Sequence, residues 1–218
     1  MERNPWLLPL LLMLCVGLGY TVLSMPEPVE GLPKMLVDNM EVSGVSNPVT
    51  AVLLNFRGYD TLLEMGVLMV ALLGVWSLGG MPDYHETSPG LVLDIMSRQL
   101  VPVLILVAGY LLWIGADAPG GAFQAGSLLG AAGVLLLLCG WRIGNRCSGL
   151  PLRMLIVLGL GMFVMAGTAL LLIEGGFLQY PPSVASELIL MIEVAATLSI
   201  GATLAAMFLG RRPGGADK

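Results

Sequence analysis

Three ionisable residues share one face of a stretch that is otherwise built to avoid water. In VTAVLLNFRGYDTLLEMGVLMVALLGVWSLGG (residues 49–80), Arg57, Asp60 and Glu64 stand at i, i+3 and i+7, which is one stripe of a helix. Glu64 lies about four helix turns before Leu78, inside a hydrocarbon layer rather than at its rim. A charge at that depth costs at least about 2.5–3.5 kcal/mol by insertion scales, and it normally faces protein or water and marks an ion or proton path. Arg57 can neutralise Asp60 but cannot fully serve both acids, so two carboxylates and one base leave a protonatable surplus. Glu193, in LILMIEVAATLSIGATLAAM, poses the same problem with no basic neighbour in sequence. Its partner must come from another helix, from water or from a bound proton. The plain alternative is that these acids only tie helices together.

A second constellation interrupts an apolar run. Leu111 to Gly130 reads LLWIGADAPGGAFQAGSLLG, placing Asp117, Pro119, Gly120, Gly121 and Gln124 where two helices could have been one. Pro119 lacks a backbone donor and the glycine pair favours turns and close backbone approach, so a tight crossing is expected. Irregular backbone near membrane depth survives only when buried in protein or lining a water-filled cavity. A helix starting near Ala122 would point its positive end at this turn, with Gln124 and Ser127 in its first turns. Small residues at 120, 121, 122, 125, 126 and 130 permit tight helix contacts; an ordinary loop with a packing face explains the same residues. Glu174 is either a rim acid or a member of a pathway. Glu187, after Pro181-Pro182 and Ser186, reads as a helix-start acid favoured by the dipole.

The elements that must position these groups are transmembrane helices. Mean hydropathy is +0.87 and 11% of the 218 residues are charged, too few to cover a soluble surface. Six apolar stretches are read at about Trp6–Ser24, Gly58–Leu78, Val101–Ile114, Ala122–Trp141, Met154–Phe177 and Leu188–Gly210. The segment 49–80 would run about 48 Å if wholly helical, so a break is expected at Asn55-Phe56-Arg57-Gly58 with a short helix before it. The fold class is therefore an all-α integral membrane protein of about six spans, with the Pro-Gly-Gly turn between the third and fourth. The first run lacks a small-x-small cleavage site before Pro26 and is read as a retained helix.

Orientation follows from the basic residues. With both ends on one side, that side holds Arg3, Arg98, Arg142, Arg146, Arg153, Arg211, Arg212 and Lys218, while the other holds Lys34 and Arg57. Both termini are expected in the cytoplasm. The net charge of −5 then hides about +3 inside and −8 outside, an acidic outer face that attracts cations. Glu27, Glu30, Asp38 and Glu41 read as solvated loop acids. Cys15, Cys139 and Cys147 share no metal or redox spacing, and the lone His85 has no partners for a metal, so no cofactor or metal is expected. No nucleophile-base pair points to an enzyme, and no repeated halves point to a free-standing transporter.

Two words carry a family resemblance. WIGADAPGGAFQAG resembles the signature GHxxPGGGFxGG of the B subunit of Mrp-type multisubunit cation/proton antiporters (MnhB-like), departing from it at Ala116, Ala122 and Ala125. Glu193 falls where that family has an acid in an (F/I)DIGV-like word; this likeness covers about Leu91 to Gly210. VLLNFRGYDTLLEMGVLMVALLGVWSL is similar to the carboxy-terminal end of the large A-type component of those antiporters, and to a small membrane component of membrane-bound hydrogenases, usually VDFRGFDTLGE. Arg57, Gly58, Asp60, Thr61 and Glu64 match; Asn55 replaces an acid and Leu63 a glycine. The resemblance implies a two-helix module over 1–90 fused to a four-helix B-type module over 91–218. It implies an accessory subunit of a complex-I-like cation/proton antiporter in the cytoplasmic (inner) membrane. Its partners would be the bilayer, large antiporter-like subunits and protons, with Na+ as candidate cation, and no nucleic acid. Arg57, Asp60, Glu64, Glu193, Asp117 and Glu174 would serve an ion or proton pathway, and Pro119, Gly120, Gly121 and Gln124 the turn. The alternative is a scaffold subunit of the same kind of complex that handles no ion. The missing acid at Asn55 and the alanine at 116 weaken a sodium-coordinating role most.

Overall fold

The computed structural model describes residues 7–24, 31–78, 90–140 and 149–210. His85, Cys147, Glu27, Glu30 and six of the bases used for orientation (Arg3, Arg142, Arg146, Arg211, Arg212, Lys218) lie outside the described residues.

Every described element is helical. The chain divides into two compact units, residues 1–35 and 36–218. The first holds α1 (Leu7–Leu23), an apolar helix, and the start of α2 (Gly31–Asp38). The second begins with a 3₁₀ turn (Met40–Val42) and a short α3 (Pro48–Thr50) that continues as a π-helical stretch (Ala51–Phe56). Four long helices and one shorter one follow: α4 (Gly58–Ser77), α5 (Leu91–Ile114), α6 (Ala122–Leu138), α7 (Leu150–Glu174) and α8 (Ala185–Leu209). Of these, α4, α5, α7 and α8 are long and apolar enough to cross a membrane, while α6 and residues 9–23 of α1 are shorter apolar helices. This is an all-α, multi-pass protein of the cell membrane.

The long run from Val49 breaks where expected. Arg57 leaves the helical region (φ −127°, ψ 34°), and its N–H reaches back to the Val52 carbonyl at 2.7 Å, closing the wider π ring. The Thr61 hydroxyl donates to the Leu53 carbonyl (2.6 Å), so a residue of the new helix satisfies an acceptor left over from the old one. Gly58 admits the close approach of Leu178, whose Cδ1 would lie 3.2 Å from a Cβ there.

The third span corrects the reading from sequence. Its helix starts at Leu91, ten residues before the expected Val101. Asp94 and Arg98, which precede the expected span, pair at i, i+4 (3.1 Å), so the helix includes both with their charges neutralised.

The centre of the second unit is α8. In its apolar window 56% of residues are buried, against 17–28% in α4, α5 and α7. It packs on α6, α7 and α4. Glycines set the spacing: a Cβ on Gly126 would meet Ile200 at 2.7 Å, one on Gly130 would meet Leu204 at 2.8 Å, and one on Gly201 would meet Leu129 at 2.9 Å. On the other flank, Gly159 of α7 admits Met65 of α4 and Ser199 of α8, and the Ser199 hydroxyl donates to the Ile156 carbonyl. Close backbones make the seam dense, and density makes the one acid inside it conspicuous.

Candidate functional site

That acid is Glu193, 3% exposed, on the face of α8 turned to the start of α6. The turn before α6 is shaped around it. Gly121 adopts φ +111°, ψ −172°, a conformation that only glycine takes without strain, and a Cβ there would lie 2.9 Å from Glu193 Oε1. The Ala122 backbone N–H, at the start of α6, interacts with the Glu193 carboxyl. A carboxylate therefore sits at the positive end of α6, where unpaired amides and the dipole favour negative charge. Gln124 is exposed, and its Oε1 would lie 3.8 Å from the same imagined Cβ, so Gln124 and Glu193 flank Gly121. Gly120 packs on the Leu111 carbonyl, which also accepts the Gly121 N–H at 2.9 Å. Pro119 is exposed at the turn's tip.

The turn is held from outside by the segment before α3. Both the Ser46 and Asn47 amides donate to the Ala116 carbonyl (3.0 and 2.8 Å), and the Asn47 side chain donates to the carbonyls of Gly115 (3.0 Å) and Ala118 (2.8 Å). Thr50 donates to Gly115 as well. The same Asn47 accepts the Val49 N–H at 3.1 Å and so caps α3. Sequence reasoning missed this clamp; Asn47-Pro48, a cap residue before a first-turn proline, was the available signal. Asn55 donates to the Ser43 carbonyl (2.9 Å), a bond that the acid expected by resemblance could not make.

Asp117 accepts a hydrogen bond from Ser46 (2.6 Å) and is exposed beside a cavity of about 700 Å³ that Glu41 and Ser186 also line. Arg57, Asp60 and Glu64 line an open groove of about 540 Å³ on α4, with Leu63, Val67, Leu68 and Phe123. Arg57 and Asp60 form an ion pair; among the described residues no base pairs with Glu64, which is exposed. Phe123 links the two regions, since it lines this groove and directly follows Ala122. Glu174 is the exposed last residue of α7, and neither region includes it. Glu187 is exposed in the first turn of α8. Cys139 packs in the interior with its sulfur 2.9 Å from Ser97 Oγ, and Cys15 is exposed on α1. Tyr180, before α8, is buried with its hydroxyl unpartnered among the described residues, and burial pushes its ionisation well above the usual phenol range.

Residues 92–210 match the model of a family described as a domain related to the MnhB subunit of Na+/H+ antiporter. A protein of Rhizobium meliloti (strain 1021), named as a probable K(+)/H(+) antiporter subunit of the combined A/B kind, is 26% identical over 208 residues, covering 78% of this chain and 20% of that protein. A chain of the Mrp complex from Dietzia sp. DQ12-45-1b is 26% identical, with a TM-score of 0.71 over 100% of this chain and 27% of that one. The fold is shared with a chain of the membrane-bound sulfane sulfur reductase, an archaeal respiratory membrane complex, at 23% identity and TM-score 0.71, covering 95% of this chain and 98% of that one. The chain thus spans about a fifth of the curated relative and about a quarter of the Mrp chain. With more than half of its length matched, and with the buried acid, the glycine turn and α8 all inside the matched region, the chain belongs to the family of domains related to the MnhB subunit of Na+/H+ antiporters.

Proposed function

We propose that this chain is an accessory membrane subunit of a multisubunit cation/proton antiporter and that Glu193 carries protons or accompanies cations in its ion route. Residues 1–90 serve as the equivalent of the end of an A-type component and residues 91–218 as the B-type module; the combined A/B designation of the curated relative supports that fusion. Other membrane subunits, including large antiporter-like ones, are its partners, and both termini face the cytoplasm.

The observation that carries the reading is a carboxyl buried to 3% exposure against the start of α6, with no base paired to it among the described residues. An acid needed only for adhesion would be served by a fixed cation, as Asp60 is by Arg57. Burial opposes the charge while the helix end favours it, and no fixed base locks either form, so Glu193 can change state. Asp60 and Glu64, in the adjoining groove, supply an acidic approach to it.

The test is cation-driven proton exchange in vesicles containing the complete complex, with Glu64→Gln and Glu193→Gln. Both variants should assemble, and exchange should fall to the level of vesicles lacking the complex for Glu193→Gln and be strongly reduced for Glu64→Gln. Normal exchange with both glutamines would end the proposal. Loss of assembly with both would assign these acids to scaffolding instead.

A further inference from the structure

Thr197 lacks the local hydrogen bond by which several hydroxyls on these helices satisfy themselves. Thr21, Ser127 and Thr168 each donate to the carbonyl four residues earlier, at 2.9, 2.7 and 2.7 Å, which is the usual way for a helical hydroxyl to satisfy itself in an apolar setting. Thr197 is 2% exposed, yet its Oγ1 has no hydrogen-bond partner among the described residues. It stands at i+4 from Glu193, one turn along α8 on the same stripe, with its backbone against Gly126 of α6. A buried hydroxyl without a partner is costly, so its presence one turn from the one buried acid of α8 needs a reason.

We propose that Thr197 is the second seat of the Glu193 carboxyl, occupied when that acid is neutral; this rests on the proton-carrying reading of Glu193 given above. Ionised, the carboxylate stays beside Gly121 at the start of α6, favoured there by the helix end. When a proton binds Oε, the neutral acid loses its attraction to the helix end, swings about one turn along α8, and its O–H donates to Thr197 Oγ1. No bond to threonine forms or breaks: the proton stays on Glu193, and when it leaves to water the anion returns to Ala122. Neighbouring groups do not compete for the proton within the seam. Gln124 is neutral, Asp60 and Glu64 line the open groove on α4 that Phe123 also lines, and neither ion pair described includes Glu193. Beyond Thr197 the seam is closed by Ile200, Leu129 and Leu204 against glycines, so the movement has an end stop.

The test uses the complete complex with Thr197→Val, which keeps the shape and removes the hydroxyl, and Thr197→Ser, which keeps the hydroxyl. Infrared difference spectra identify the neutral Glu193 carboxyl band by its loss in Glu193→Gln. With valine the band should move to higher frequency, as for a carboxyl lacking an acceptor, and exchange should drop several-fold while assembly is kept; serine should restore both. If valine leaves band and exchange as in the unaltered protein, Thr197 is only a packing residue and the inference fails. Should valine prevent assembly, Thr197→Ala is scored the same way. Loss of exchange in Glu193→Gln with normal exchange in Thr197→Val overturns this inference alone, whereas normal exchange in Glu193→Gln overturns the reading beneath it as well.

Discussion

Gly121→Ala tests whether the turn exists to make room for Glu193. Two separate costs follow from the structure. At φ +111°, ψ −172° an alanine is held in a region that is nearly glycine-only, worth about 1–3 kcal/mol. The new Cβ would also lie 2.9 Å from Glu193 Oε1, so the carboxyl must retreat by a few tenths of an ångström from the Ala122 amide. Weakening the carboxyl's interaction with the helix end adds about 0.3–1 kcal/mol, giving roughly 1.3–4 kcal/mol if both costs are met in full. The assay is thermal unfolding of the purified complex, followed by cation/proton exchange. Gly161→Ala is the control, because nothing lies within 4 Å of a Cβ there and alanine favours a helix interior. Unfolding should come several degrees earlier for Gly121→Ala and not for the control. Adding Glu193→Gln should return part of the loss, since a neutral amide is held less firmly at the helix end and yields more readily. If Gly121→Ala melts with the control and exchanges normally, the turn does not position the acid.

Two further outcomes can be checked independently. Asn55→Asp should destabilise this chain by about 1–3 kcal/mol, because a carboxylate cannot donate to the Ser43 carbonyl; chemical denaturation should show it, while Asn55→Gln should be milder. Tyr180 has its ionisation raised in the folded state, so its contribution to stability is full below about pH 10, the unfolded value, and declines as pH rises above it. Tyr180→Phe should therefore leave neutral stability unchanged or slightly higher, since its hydroxyl has no partner among the described residues, and should reduce the alkaline loss of stability.

Much of the fold could be read from local pattern. Apolar length located the helices, and Arg57-Gly58 located the break, because a charge and a glycine at a helix start are local signals. The start of α5 was placed too late because apolar length alone excludes Asp94 and Arg98, whereas their i, i+4 pairing lets the helix run through them. The site was legible only as parts. Glu193 and the Pro119-Gly120-Gly121 turn each stood out, but nothing local links residues 121 and 193; their meeting depends on α6 and α8 packing through Gly126, Gly130 and Gly201. The clamp made by Asn47 was missed for the same reason: Asn47-Pro48 signals a helix cap, but its bonds to Gly115 and Ala118 are tertiary.

The most direct measurement is proton flux driven by a cation gradient in proteoliposomes holding the purified complex, comparing the unaltered chain with Glu193→Gln and Glu193→Asp. The account predicts no flux above empty liposomes for the glutamine, partial flux for the shorter acid, and the same subunit composition in all three. Full flux through an intact Glu193→Gln complex would contradict it.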